Sequence, residues 1–216
     1  YAAVLQFTDV QTDEMETLLW RAQPLPEVAA SPIPEHSLFA PGAGLTLWRR
    51  PQQRQAVLIK HSPWGGEHDH YDRLSLLLWH RDGWLLPDLG TTGYGARMHY
   101  DYYKNSATHN TLTVNQTNQP PANPTVLGQH QGDDYLWLDC EVDWGQPPPT
   151  LNSHTRVEWD AEAWREVRFR RRLLWLDDVL IDLSTVDNPH RQQLDWTLHL
   201  AAQALDQSGT PQPFSL

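Results

Sequence analysis

The sequence predicts an all-β protein, an antiparallel two-layer β-sandwich with a short N-terminal helix. Three observations carry this. Short runs rich in apolar and aromatic residues alternate with turn signals such as Arg81-Asp82-Gly83. No strong helical period follows residue 22. Turns recur at the spacing of an antiparallel sandwich, without a repeat of fixed length. A chain of 216 residues is long enough to bury one large β core.

The elements follow in order. Thr12 to Ala22 reads as a helix, with Thr12 or Asp13 as N-cap and Met15, Leu18 and Leu19 on one face; it stops at Pro24. Pro24 to Pro41 is proline-rich and reads as a linker or extended strap. Two parts result: 1–35, a terminal helix and linker, and 36–216, the β domain. Strands are expected at Leu45–Arg49, Gln55–His61, Leu74–His80, Trp84–Leu86, Thr111–Val114, Tyr135–Val142, Thr155–Trp159, Val167–Leu176, Val179–Val186 and Leu194–Leu200. Asp177-Asp178 marks a hairpin. Gly90–Thr108 and Asn115–Asp134 read as loops, where a rigid sheet would carry function.

Composition narrows the partners. The 27 acidic against 16 basic residues give a net charge of −11, which argues against a nucleic-acid backbone as partner. Arg165 to Arg172 is the local exception that a polyanionic sugar would need, although arginines along a strand are more often solvated. The single Cys140 excludes an internal disulfide framework. No apolar run approaches the roughly 20 residues that span a bilayer. Eleven tryptophans and eleven histidines are compatible with carbohydrate stacking, while most of the tryptophans are expected to fill the core. The chain opens at Tyr1 without an initiator methionine, in a segment that reads as the middle of something. A piece of a longer protein is expected, so the lack of a signal peptide says nothing about destination.

The chemistry concentrates between Gly65 and Asn110. His68 and His70 are two positions apart and would share a face if they lay on a strand. Asp88 closes one apolar run and His109 opens the next, so a sheet could gather His70, Asp88 and His109 around one cation. Two imidazoles and a carboxylate form a zinc set; the bland alternative is three unrelated polar residues at strand ends. His68 is then left for proton transfer. Glu67, Asp69 and Asp72 lie close enough in sequence to orient its ring, or they simply form a solvated turn. Tyr94, Tyr100, Tyr102 and Tyr103 offer phenols for hydrogen bonding or stacking, with Tyr94, Tyr100 and Glu67 as candidate substrate contacts. Asn110 is placed to tie down the loop beside the metal.

The block GGEHDHYDRLSLLLWHRDGWLLPDLGTTGYG, then THNTLTVNQTNQPP, and later RQQLDWTLHL resemble the β-sheet domain of heparinase II/III-like polysaccharide lyases, a group that includes oligoalginate lyases. The resemblance spans about residues 36 to 200 and keeps its order along the chain. It implies an N-terminal α/α toroid packed on an antiparallel sandwich, with acidic polysaccharide cleaved between them by β-elimination. On the same grounds His68 matches the sheet-borne catalytic histidine, and His70, Asp88 and His109 match the ligands of a structural zinc. A periplasmic or secreted location is implied likewise. The toroid would lie upstream of Tyr1, leaving this chain with half a cleft and little turnover of its own.

Two rivals remain. A cupin-like metalloenzyme also uses an H-x-H and a later histidine, but adds a glutamate shortly after; here Leu74 to Leu78 is apolar where it should stand. A non-catalytic, zinc-stapled carbohydrate-binding sandwich would differ from the lyase only in the role of His68. A glycoside hydrolase would need a carboxylate pair across the scissile bond, and no convincing pair is present.

Overall fold

A computed structural model describes residues 36–81, 83–93, 95–132, 134–151 and 159–201. The chain divides into two units, 1–35 and 36–216, and all of the described residues belong to the second. The expected helix at Thr12–Ala22 lies outside the described residues. So does the expected strand at Thr155–Trp159, apart from Trp159, which is not in a strand.

The first sheet runs in chain order: β1 (Leu38–Ala40), β2 (Leu45–Arg50), β3 (Gln55–Lys60), β4 (Leu76–His80) and β5 (Gly83–Leu86), all antiparallel. A two-stranded sheet pairs β6 (Leu112–Val114) with β11 (Leu194–Trp196). The second large sheet is a meander of β7 (Thr125–Gln131), β8 (Tyr135–Asp143), β9 (Arg168–Leu176) and β10 (Val179–Asp187). The β9–β10 hairpin turns at Asp177-Asp178, with Asp177 at φ +42°, the positive φ that a tight hairpin demands.

Alternation decides which face is buried. Thr46 and Trp48 on β2, Val57 and Ile59 on β3, and Leu136, Leu138, Cys140 and Val142 on β8 occupy every second position and are buried. Phe169, Leu173 and Trp175 do the same on β9, and the two sheets share one core. Trp48 and Trp175 stack across it at 6.5 Å. The fold is therefore the expected antiparallel sandwich. Cys140 lies inside it, where burial and then Asp139 push the thiol up to about 12.

Three expectations need correction. Thr125–Gln131 forms β7 inside the predicted Asn115–Asp134 loop. As an edge strand it pairs only with β8, stays mostly exposed and needs no apolar alternation. Its Gly128 is required by packing, since a Cβ there would meet the Trp137 ring at 2.6 Å. The Pro-rich strap also ends in a short edge strand, β1. The third concerns His68 and His70, which lie on the loop between β3 and β4 and not on a strand. Among the described residues no helix is long and apolar enough to cross a membrane.

Candidate active site

The loop between β3 and β4 is built around a buried cation. Arg73 is 1% exposed; it donates to the backbone oxygens of Ser62 (2.9 Å), Pro63 (3.0 Å) and His70 (3.0 Å), and pairs with Asp69 and Asp72. Lys60 reaches Asp69 at 2.6 Å and Asp72 at 2.7 Å. At the other end the Gly65-Gly66 turn, with Gly66 at φ +89°, is closed by the Asp69 amide donating to Gly66 O at 3.1 Å. Asp69 and Asp72 are thus engaged by Lys60 and Arg73. Burial works against the Asp72 carboxylate, but Lys60 and Arg73 outweigh it and hold the group at about 2.

That depression makes the fold acid-sensitive with a definite sign. Asp72 contributes stability that is full above its unfolded value of 3.8 and is lost as pH falls toward about 2. The loss is expected to be roughly 2 kcal/mol between about pH 5 and about pH 2. Urea unfolding across that range checks it: Asp72→Asn should be less stable than wild type at the upper end and flatter in its pH dependence.

Beside this loop three of the sequence-selected residues meet. His70 Nδ1 faces His109 Nε2 at 3.2 Å, and His109 Nδ1 donates to Asp88 Oδ2 at 2.7 Å. The Gly90 amide donates to Asp88 Oδ1 at 2.7 Å. His109 is 1% exposed. Asn110 does tie its surroundings together, donating to Leu76 O (2.9 Å) and Pro87 O (2.8 Å) and accepting from the His199 amide at 2.7 Å. Burial first, and His109 second, push His70 down to about 4, so its ring is neutral at pH 7. For Asp88 burial is outweighed by the His109 hydrogen bond, which leaves the carboxylate below its usual range.

This donor set suits a metal in part. With Nδ1 of His109 bonded to Asp88, its Nε2 faces the neutral His70 imidazole, and 3.2 Å is close to the edge of a zinc tetrahedron. Asp88 stands on the far nitrogen of His109, where a carboxylate orients a liganding histidine. Among the described residues no three His, Cys, Asp or Glu side chains converge on one point.

A third histidine carries no signal in the sequence that would single it out. His99, fully buried on the helical turn His99–Tyr103, lies 5.4 Å from the His70 ring and is hydrogen-bonded to Thr91 Oγ1 at 2.9 Å. Burial is the main reason its pKa is lowered, with Lys104 and His68 adding to the effect. Its neighbour Tyr100 donates to Glu67 Oε1 at 3.3 Å, so two of the candidate substrate contacts face each other. Tyr102 and Tyr103 pack edge-on against one another instead. Tyr94 lies outside the described residues. His68 is exposed at this rim. A solvent-facing imidazole beside a phenol–carboxylate pair, backed by the part-buried His70 and the buried His99 and His109 rings, is equipped for proton transfer to a ligand in the open.

Residues 32–211 match the sequence profile of the family described as Heparinase II/III-like, C-terminal. The chain belongs to that family. Among solved structures it is similar to a heparinase III, with 13% identity and a TM-score of 0.62 over 82% of this chain and 26% of that one. It is also similar to the heparan sulfate lyase HepC from Pedobacter heparinus, with 17% identity and a TM-score of 0.53 over 71% of this chain and 22% of that one. At these identities the likeness concerns the fold. The chain spans about a quarter of the length of those proteins. No curated protein sequence matches it.

Proposed function

We propose that this chain is the β-sheet part of a polysaccharide lyase acting on a uronic-acid polymer such as heparin, heparan sulfate or alginate. The supporting observation is the pairing of family membership with an exposed His68 at the rim of the His70–His109–Asp88 file. In β-elimination a base removes the C5 proton, the electron pair forms the C4=C5 bond, and the C4–O bond breaks with a proton going to the leaving oxygen. His68 is the proton-transfer residue, and Tyr100, Glu67 and Tyr94 contact the sugar. An N-terminal α/α toroid, as in the family pattern, supplies the other wall of the cleft and the group that neutralises the substrate carboxylate. The protein works in the periplasm or outside the cell.

Zinc would be held by His70 and His109, with Asp88, which the sequence reading counts as a third ligand, orienting His109 from its other ring nitrogen, and would fix the loops that frame His68 without entering the reaction. A cupin-like site is disfavoured, because there the H-x-H belongs on a strand and here it stands on a loop.

The test uses the whole protein with its N-terminal part. Heparin, heparan sulfate and alginate are incubated with it and the ultraviolet absorbance of the unsaturated product is followed, alongside metal analysis by mass spectrometry. Product from at least one polymer is expected, with about one zinc per chain. Zinc should be lost in His70→Ala and His109→Ala and kept in His68→Ala. In Asp88→Asn, loss of zinc marks a direct ligand; retention with affinity weaker by roughly 10–100-fold marks an orienting partner. Absence of product from every uronate polymer sinks the lyase reading, and a metal-free protein sinks the zinc.

A further inference from the structure

We propose that Lys104 is the positioning residue of this site, clamping the Glu67–Tyr71 loop, and His68 with it, against the helical turn that carries His99 and Tyr100. Its effect on catalysis rests on the lyase reading above; the clamp itself does not.

Lys104 is bonded to the loop on both sides of the His68-Asp69-His70 triplet. Upstream, its ammonium donates to the backbone oxygen of Glu67. Downstream, its own carbonyl accepts from the Tyr71 amide at 3.0 Å. One residue therefore brackets the triplet, with the side chain fixing one end and the main chain the other. Lys104 also closes the helical turn, its amide donating to His99 O at 2.9 Å. The loop that carries His68 and the turn that carries His99 and Tyr100 are joined through it.

Lys104 is 1% exposed, an uncommon place for a lysine. Its ammonium lies among the rings of Tyr71 (5.4 Å), Tyr100 (5.7 Å) and Trp64 (5.9 Å). Trp64 and Tyr71 stack on one another at 6.0 Å and 14°. Cation–π attraction and the charge-assisted bond to Glu67 O compensate the desolvated charge. Tyr100 closes the box and donates to the Glu67 carboxylate, so the residue whose backbone Lys104 holds is also the one whose side chain meets the candidate phenol.

The two halves of the loop are held differently. The downstream half is fastened by Arg73 and the Lys60–Asp69–Asp72 pairs. The upstream half enters through Gly65-Gly66, tied at Ser62 and Pro63 by Arg73, at Trp64 by Asn123 and at Gly65 by the Asp69 carboxylate, and past Gly66 the bond from Lys104 to Glu67 O holds the residue next to His68. His68 sits between that entry and the cage. Because a displacement of about 1 Å in a reacting group costs on the order of 100-fold in rate, a fixed Glu67 carbonyl matters there.

The experiment compares Lys104→Met, which keeps the length and loses the donor, with Lys104→Arg, which keeps the charge. Amide hydrogen exchange is measured on this chain, and steady-state kinetics and zinc content on the whole protein. In Lys104→Met, residues 64–70 should exchange at least about tenfold faster while β3, β8 and β9 keep wild-type rates. In the same variant kcat should fall roughly 10–100-fold, with KM within about threefold and zinc retained. Lys104→Arg should recover most of both. Unchanged exchange at 64–70 overturns the proposal. Acceleration spread over β3, β8 and β9 overturns it too, by showing general support of the fold, and a raised KM with unchanged kcat overturns it in favour of a substrate contact. If Lys104→Met does not fold, Lys104→Gln serves the same comparison. A wild-type protein that yields no unsaturated sugar, with exchange behaving as expected, sinks the lyase reading and supports the clamp.

Discussion

Replacing His68 by alanine in the whole protein should lower kcat by roughly 10²–10⁴-fold, the range a proton-transfer group supplies. That corresponds to about 3–5 kcal/mol of barrier. The geometry makes the variant informative. His68 is exposed, on a loop whose shape is set by Arg73, Lys60 and the Gly65-Gly66 turn, so its removal should leave stability within about 0.5 kcal/mol of wild type. His70 is the opposite case, turned inward against His109 and His99. Two histidines two positions apart are thus expected to separate chemistry from framework: His68→Ala should abolish most turnover and keep zinc, while His70→Ala should lose zinc. A drop of less than about threefold for His68→Ala would sink the catalytic role and favour a carbohydrate-binding sandwich.

His68 is exposed while His70 faces His109, and a shared strand face, which the two-residue spacing suggests, is not what sets them. The segment is a loop, and its Asp69, Asp72 and Arg73 form a local ion cage that no strand pattern announces. The contact of Asp88 with His109 is legible, because Asp88 follows the end of β5 and His109 precedes β6, while His109 stands between Asp88 and His70 and the three do not face one point. His99 is not legible, since its turn lies in a segment without apolar period and only the tertiary fold sets it beside His70.

The same distinction runs through the fold. Strands buried on one face, such as β2, β3, β8 and β9, show alternation, and the sequence places them to within about two residues. The edge strands β1 and β7 are hidden, because β1 is only three residues at the end of a proline-rich stretch and β7 carries exposed Thr, Gln and His side chains just after Pro124, which look like a loop. The arginine run, which in sequence suggests solvated or polyanion-binding side chains, divides differently. Arg168 pairs with Asp143 at 3.2 Å and Arg170 grips Asp139 through two bonds of 2.8 and 2.5 Å. Arg171 shares the parity of Phe169, Leu173 and Trp175, and that parity points into the core.

Arg171→Met is therefore expected to destabilise the fold by about 3–5 kcal/mol, the cost of removing one partner from a buried, fully bonded charge. Arg171 is 1% exposed. Its Nη1 donates to Leu74 O at 2.6 Å and Asn110 O at 2.8 Å, and its Nε and Nη2 meet Asp182 Oδ2 at 3.0 and 2.5 Å. The guanidinium also lies 4.8 Å from the Trp196 ring. Methionine fills much of the space but leaves two backbone oxygens and a carboxylate without these donors. Leu74 O and Asn110 O belong to the segments that carry Arg73 and His109, so the loss should reach the site as well as the core. A fall in Tm of roughly 6–20 °C should follow for a chain of this size, with weakened zinc retention. Arg171→Met combined with Asp182→Leu should recover part of the loss by removing the stranded carboxylate. Denaturation showing less than about 1 kcal/mol for Arg171→Met would mean that water replaces the guanidinium and that the tie between the second sheet and the His109 loop is not what holds the site in place.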